Sequence, residues 1–195
     1  MKTTIITAIL SIMTGSLIAQ TREYYRNGNI LKCTGIEYSV VKEDNRILTK
    51  IMEKDNYGKD FSNRTKDGKS IDLGSSTYTC DVVNREMIHP TIKRIVNKYG
   101  LDIYDRDTQG NLMNVPPDDH FMNMVATIIY FTVSTQKVEH ILFLLPEIDG
   151  AKALQVPIEA YDEINKELKR VLACIPNDTG KQLIYCHVSY NFVLK

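Results

Sequence analysis

Hydrophobic periodicity is clearest in the last third of the chain. From Val125 to Val133 both alternating sets, Val125-Thr127-Ile129-Phe131-Val133 and Ala126-Ile128-Tyr130-Thr132, are largely apolar or β-branched. That pattern predicts a strand inside a sheet. Ser134 to Lys137 is a short polar break, and a second apolar run follows from Val138 to Leu145, ending at Pro146. Two strands this close in sequence pair as an antiparallel hairpin. The period then changes. Tyr161, Ile164, Leu168, Val171, Leu172 and Ile175 recur every three or four residues, which predicts one apolar helical stripe. Pro157 suits the first turn of that helix and Pro176 closes it. Glu159, Asp162 and Glu163 lie near the positive end of its dipole, and Lys169 and Arg170 near the other. The final run alternates again. Ile184, Cys186, Val188, Tyr190, Phe192 and Leu194 face one way, while the intervening residues are mixed. The order is strand, strand, helix, strand, and the predicted class is α+β: an antiparallel sheet with a long helix on one face.

This C-terminal β-β-α-β unit, residues 116–195, resembles the C-terminal domain of TonB. The residues that carry the likeness are the helix Tyr161 to Ile175 with Pro176 after it, the turn Thr179-Gly180-Lys181-Gln182, and a strand ending Tyr190-Asn191-Phe192. Pro116-Pro117 stands about where that family has a Tyr-Pro entry. The aromatic residue the family places before the helix-terminal proline is replaced by Cys174-Ile175, and the proline usual in its last strand is absent. The resemblance implies a module that adds a strand to another protein's sheet or touches envelope proteins. The whole chain is also similar to small uncharacterised exported proteins of Bacteroides-type bacteria.

Residues 20–115 form an N-terminal α+β region. The run Ile30 to Val41 reads as a strand whose phase shifts at Gly35, which predicts a bulge, and Arg46 to Lys54 as its hairpin mate. Asp55 to Ser76 is a long polar loop. Tyr78 to Val83 is a short strand candidate. A helix capped by Asn84 runs to Tyr99, interrupted at Pro90, with Met87, Ile88, Ile92, Ile95, Val96 and Tyr99 on its buried face. Leu101 to Val115 reads as a hairpin turning at Asp107 to Asn111.

Residues 1–19 read as a signal peptide: Lys2 is the basic start, Ile5 to Ile18 the apolar stretch, and Ala19-Gln20 the junction. The expected location is periplasmic or secreted, with no integral membrane span once the leader is removed. Loss of Lys2 turns a balance of 24 basic and 24 acidic side chains into an excess of one negative charge. That leaves no cationic surplus for nucleic acid. Export places Cys33, Cys80, Cys174 and Cys186 where disulfides persist. On the β-α-β order Cys174, in the last helical turn, and Cys186, on the inward side of the last strand, are a possible disulfide pair.

Catalytic signals are sparse. The chain has no Gly-x-Ser-x-Gly, His-Glu-x-x-His or phosphate-binding glycine loop. Asp118-Asp119-His120 is the one local acid–histidine cluster. Asp105, Asp107, Gln109 and Gly110 resemble the start of a calcium loop, but Pro116 stands where its closing glutamate belongs. No cofactor and no metal are expected. The expected function is a non-enzymatic cell-envelope protein that acts as a protein-interaction module on envelope proteins. The alternatives are a small-ligand binder, or a hydrolase using Asp118, Asp119 or His120.

Overall fold

The computed structural model describes residues 25, 28–42, 48–73, 78–148 and 150–195. The signal segment 1–19, the Ala19-Gln20 junction and residues 43–47 lie outside the described residues. The class is α+β: among the described residues eight strands form one open antiparallel sheet, with helices packed against it.

The strands are β1 (Ile30–Cys33), β2 (Ile36–Lys42), β3 (Leu48–Glu53), β4 (Cys80–Val83), β5 (Met124–Thr132), β6 (Lys137–Pro146), β7 (Ala173–Pro176) and β8 (Tyr185–Val193). Their main order is β1-β2-β3-β6-β5-β8. The N-terminal hairpins thus join the C-terminal strands in a single sheet through β3 and β6, where Ile51 stands opposite Phe143. β7 touches β6 at Lys137↔Ala173, and β4 pairs with β7.

One face of the sheet is dry. Val40, Ile51, Ile129, Phe131, Ile141 and Phe143 are buried under α1 (Ile88–Lys98) and α3 (Ile158–Val171). Both helices bury one stripe: Ile88, Ile92, Ile95 and Val96 on α1; Ile158, Tyr161, Ile164 and Leu168 on α3. The Tyr161 ring sits 4.9 Å from that of Phe143. A short α2 (Pro117–Met122) precedes β5.

Three sequence expectations are corrected. Ile30 to Val41 is not one bulged strand. Thr34 and Gly35 both adopt positive φ (42° and 87°), so the chain turns there and Cys33 pairs with Ile36. Two left-handed residues between antiparallel strands are the tight hairpin turn whose twist matches the sheet. The long helix ends at Val171 instead of Ile175. A residue before proline is pushed toward extended backbone, and Ala173–Pro176 becomes β7, with Cys174 and Pro176 buried and Ile175 56% exposed. Cys174 is therefore a strand residue, and Ile175 is no part of the stripe. Met87 and Tyr99, assigned to the buried face of the first helix, are exposed, because Arg85–Met87 is a separate 3-10 turn and the helix stops at Lys98 before Gly100, whose φ is 74°.

Candidate functional site

Among the described residues β8 is an edge strand, paired with β5 on one side only. Its other side is covered at both ends. Ile184 N–H donates to Arg64 carbonyl at 2.9 Å, and Thr65 bridges Leu183. At the far end Tyr104 N–H donates to Val193 carbonyl at 3.0 Å, and the Arg106 guanidinium donates to Asn191 carbonyl. The outward carbonyls of Asn191 and Val193 set the phase. With a two-residue period, the backbone groups of Ser189, His187 and Tyr185 also face outward. No backbone bond reaches these three from that side among the described residues. β8 contains neither proline nor lysine, two devices that blunt natural edges. The opposite edge, β1, has four residues and carries Lys32, which is paired to Glu37 at 3.1 Å.

Beside this edge lies a cleft of about 880 Å³, walled by Arg85, His89 and Pro90, by Arg106, and by Tyr190 and Asn191. Three elements deliver its polar core. His89 sits in the first turn of α1, and its Nδ1 is 2.8 Å from the Tyr190 hydroxyl. Arg106 Nε donates to the same oxygen at 3.0 Å, and its guanidinium carbon lies 4.6 Å from the Tyr190 ring centre. Arginine only donates, so the phenol oxygen accepts from Arg106 and shares a second hydrogen bond with His89 Nδ1. His89 Nε2 is buried without a hydrogen-bond partner among the described residues and lies 3.9 Å from Asp105 Oδ1. Burial, then the charge of Arg106, lowers the His89 pKa; burial raises that of Tyr190 against the pull of Arg106. Imidazole, phenol and guanidinium together present a hydrogen-bonding surface to the cleft.

The residues that the sequence singled out are dispersed. Asp119 accepts from the Tyr104 hydroxyl at 2.6 Å and from Asn123 Nδ2 at 2.9 Å, which ties α2 to its neighbours. Asp118 and His120 are exposed. No hydrogen bond joins these three side chains among the described residues. His120 instead lines a hollow of about 540 Å³ on the other side of Arg106. Asp107 uses its carboxylate on the N–H groups of Gln109 and Asn111, at 2.9 and 2.8 Å, and so holds the predicted hairpin turn. Asp105 pairs with Lys93. Cys174 and Cys186 are both buried free thiols, and each lies beside Cys80, which the sequence reading left without a role.

A second buried polar system went unread. Asp162, which sequence reasoning placed at the helix dipole, is 3% exposed and receives four donors from Cys33, Thr34, Tyr38 and Lys166. The network continues from Tyr38 through Asn165 to Glu53, and from Glu53 through Asn56 to His140. Its signal in the sequence was positional: Asp162 and Asn165 share the helix face of Ile158, Tyr161 and Leu168.

No family model matches the chain, and no curated protein matches it. Among solved structures it is similar to the crystal structure of a DUF5043 family protein from Bacteroides uniformis ATCC 8492. The TM-score is 0.63 at 17% identity, over 86% of this chain and 91% of that one. The likeness shows a shared fold with a protein of a Bacteroides species.

Proposed function

We propose that this protein is a non-enzymatic interaction module of the bacterial cell envelope that receives an extended segment of another protein along β8. The observation that carries the reading is the run of outward, unpaired backbone groups from Tyr185 to Ser189. A guest strand would satisfy those donors and acceptors, and side-chain pockets beside the edge would select it. The His89–Tyr190–Arg106 cleft, at the Asn191 end of the open edge, is such a pocket. The TonB-like reading of residues 116–195 motivates the same mode, although β7, between the helix and the last strand, has no counterpart in the pattern that suggested it. No helix among the described residues is long and apolar enough to cross a membrane.

Proline at Ser189 tests the edge. The Ser189 N–H faces outward, so Ser189→Pro removes no bond to β5 and should cost about 1 kcal/mol or less, as prolines on strand edges are tolerated. Proteins retained by wild type from a bacterial envelope extract are expected to be lost from Ser189→Pro, and the amides of His187 and Ser189 to gain hydrogen-exchange protection in the wild-type complex. Equal retention by a folded Ser189→Pro protein rules the edge out. Export has its own check. Protein recovered from the periplasm or medium should begin at Gln20 by N-terminal sequencing. Met1 retained in a membrane fraction counts against the envelope assignment.

A further inference from the structure

Three cysteines meet in the core where β4, β7 and the start of β8 converge. Cys80 opens β4 opposite Pro176, and Cys174 stands opposite Val82, so the two lie diagonally on the same inward side of the β4–β7 pair. Cys186, on β8, reaches the same place: its thiol is 3.7 Å from Thr79 carbonyl oxygen and 3.9 Å from that of Gly180. Cys80 thus adjoins both others: it lies diagonal to Cys174 across the β4–β7 ladder, and the Cys186 thiol sits on the carbonyl of Thr79, its chain neighbour. All three side chains are buried, none more than 1% exposed. The turn below presses on them. A β-carbon on Gly180 would stand 2.0 Å from Thr79 oxygen and 3.0 Å from Cys186 sulfur, so only glycine lets this turn close over the cluster. Cys33 stands apart, with its thiol on Asp162 at 3.4 Å.

We propose that Cys80 is the oxidation site of this protein: it forms a single disulfide with Cys174 or Cys186, and the remaining thiol of the three stays reduced beside it. Two S–H bonds break and one S–S bond forms. The two protons and two electrons pass to the disulfide of a thiol–disulfide oxidant, which leaves as two thiols. The reduced third cysteine then exchanges in place: its thiolate attacks Cys80 sulfur, and the displaced sulfur leaves as a thiolate that takes up the proton. Cys80 is the constant half because it stands between the other two, diagonal to Cys174 and next in the chain to Thr79, on whose carbonyl the Cys186 thiol sits. In β4–β7 the diagonal placement sets the Cα atoms of Cys80 and Cys174 about 7–8 Å apart, so that link requires the short pair to shift, whereas Cys186 comes from a strand not in register with β4. The Cys80–Cys174 link ties β4 to β7, and the Cys80–Cys186 link ties β4 to the start of β8. The inference is independent of the strand-addition reading.

The test uses the full chain refolded in a glutathione redox buffer, then unfolded and alkylated without reductant. The expected product has lost the mass of two hydrogens, carries alkyl groups on two cysteines with Cys33 always one of them, and yields a cross-linked peptide that contains Cys80. Cys33→Ala should give the same cross-link, and Cys80→Ser none. Alkylation of all four cysteines in the wild type, or a Cys174–Cys186 link without Cys80, overturns the proposal, and neither result depends on whether Cys80→Ser folds.

Discussion

Asp162→Ala is expected to destabilise the protein by about 3–5 kcal/mol, the usual cost of removing one member of a buried charged network. Asp162 Oδ2 accepts from Thr34 Oγ1 at 2.6 Å, Lys166 Nζ at 2.8 Å and Cys33 Sγ at 3.4 Å, and Oδ1 from the Tyr38 hydroxyl at 2.9 Å. Burial pushes its carboxyl upward, but Lys166 and the other donors outweigh burial and hold the pKa below the usual value. The loss falls unequally on those donors. Lys166 is 41% exposed on its side chain and finds water. Tyr38 is fully buried, and its proton would have no acceptor, since Asn165 only donates to it. An unsatisfied buried hydroxyl alone costs about 1–3 kcal/mol. These contacts clamp the β1–β2 hairpin onto α3, so the change should also loosen that end of the sheet. Urea unfolding at neutral pH measures it. A variant within about 1 kcal/mol of wild type would show that the carboxylate does not hold the hairpin.

The parts of this fold that could be read in the sequence are those set by local periodicity. β5, β6, α3 and β8 follow from runs of period 2 and 3.6 that tertiary context did not override. Errors arose where one local signal had two meanings. The phase break at Gly35 suits a bulge or a turn, and only the positive φ of Thr34 decides for the turn. The apolar Leu172 to Ile175 suits a helix end or a strand, and pairing with β4, some 90 residues away in sequence, decides for the strand. Sites built across the sheet were the least legible. His89 and Tyr190 are 101 positions apart, and Arg106 and Tyr190 are 84 apart, so no spacing announces their cleft. Asp118-Asp119-His120 was conspicuous because its members adjoin in sequence, which on a short helix turns them to different surroundings. The thiol cluster was half legible. The β-α-β order placed Cys174 and Cys186 at one end of the unit, but Cys80 reaches them only through the β4–β7 ladder.

Acidification from about pH 7 to about pH 4 is expected to remove about 3 kcal/mol of stability through His140 alone. His140 is buried on β6, stacked 4.8 Å from the Phe61 ring and 5.8 Å from Tyr130. Its Nδ1 accepts from Asn56 Nδ2 at 3.2 Å, and the other amide proton of Asn56 goes to Glu53 at 2.9 Å. A proton on Nδ1 would face a donor. Burial, with Lys169 and Lys59 adding to it and Glu53 opposing, brings the pKa from 6.5 down to about 4. The sign follows from linkage. The unfolded chain binds the proton first, so stability is complete above the ordinary histidine value, falls as pH drops from 6.5 toward 4, and is constant with respect to this group below that. Asp162 acts at lower pH: a depressed carboxylate contributes in full above its ordinary value of 3.8 and loses that contribution as the pH falls from there through its folded value. His89 and His187 are also held low, by burial first in each case, and add to the same window. His140→Gln isolates the one group. Urea unfolding of both proteins at about pH 7 and about pH 4.5 should show the wild type losing more stability than the variant by about 2–3 kcal/mol. Parallel losses would mean that His140 takes up its proton without cost, and that the stack of Phe61, His140 and Tyr130 opens to water in the folded protein.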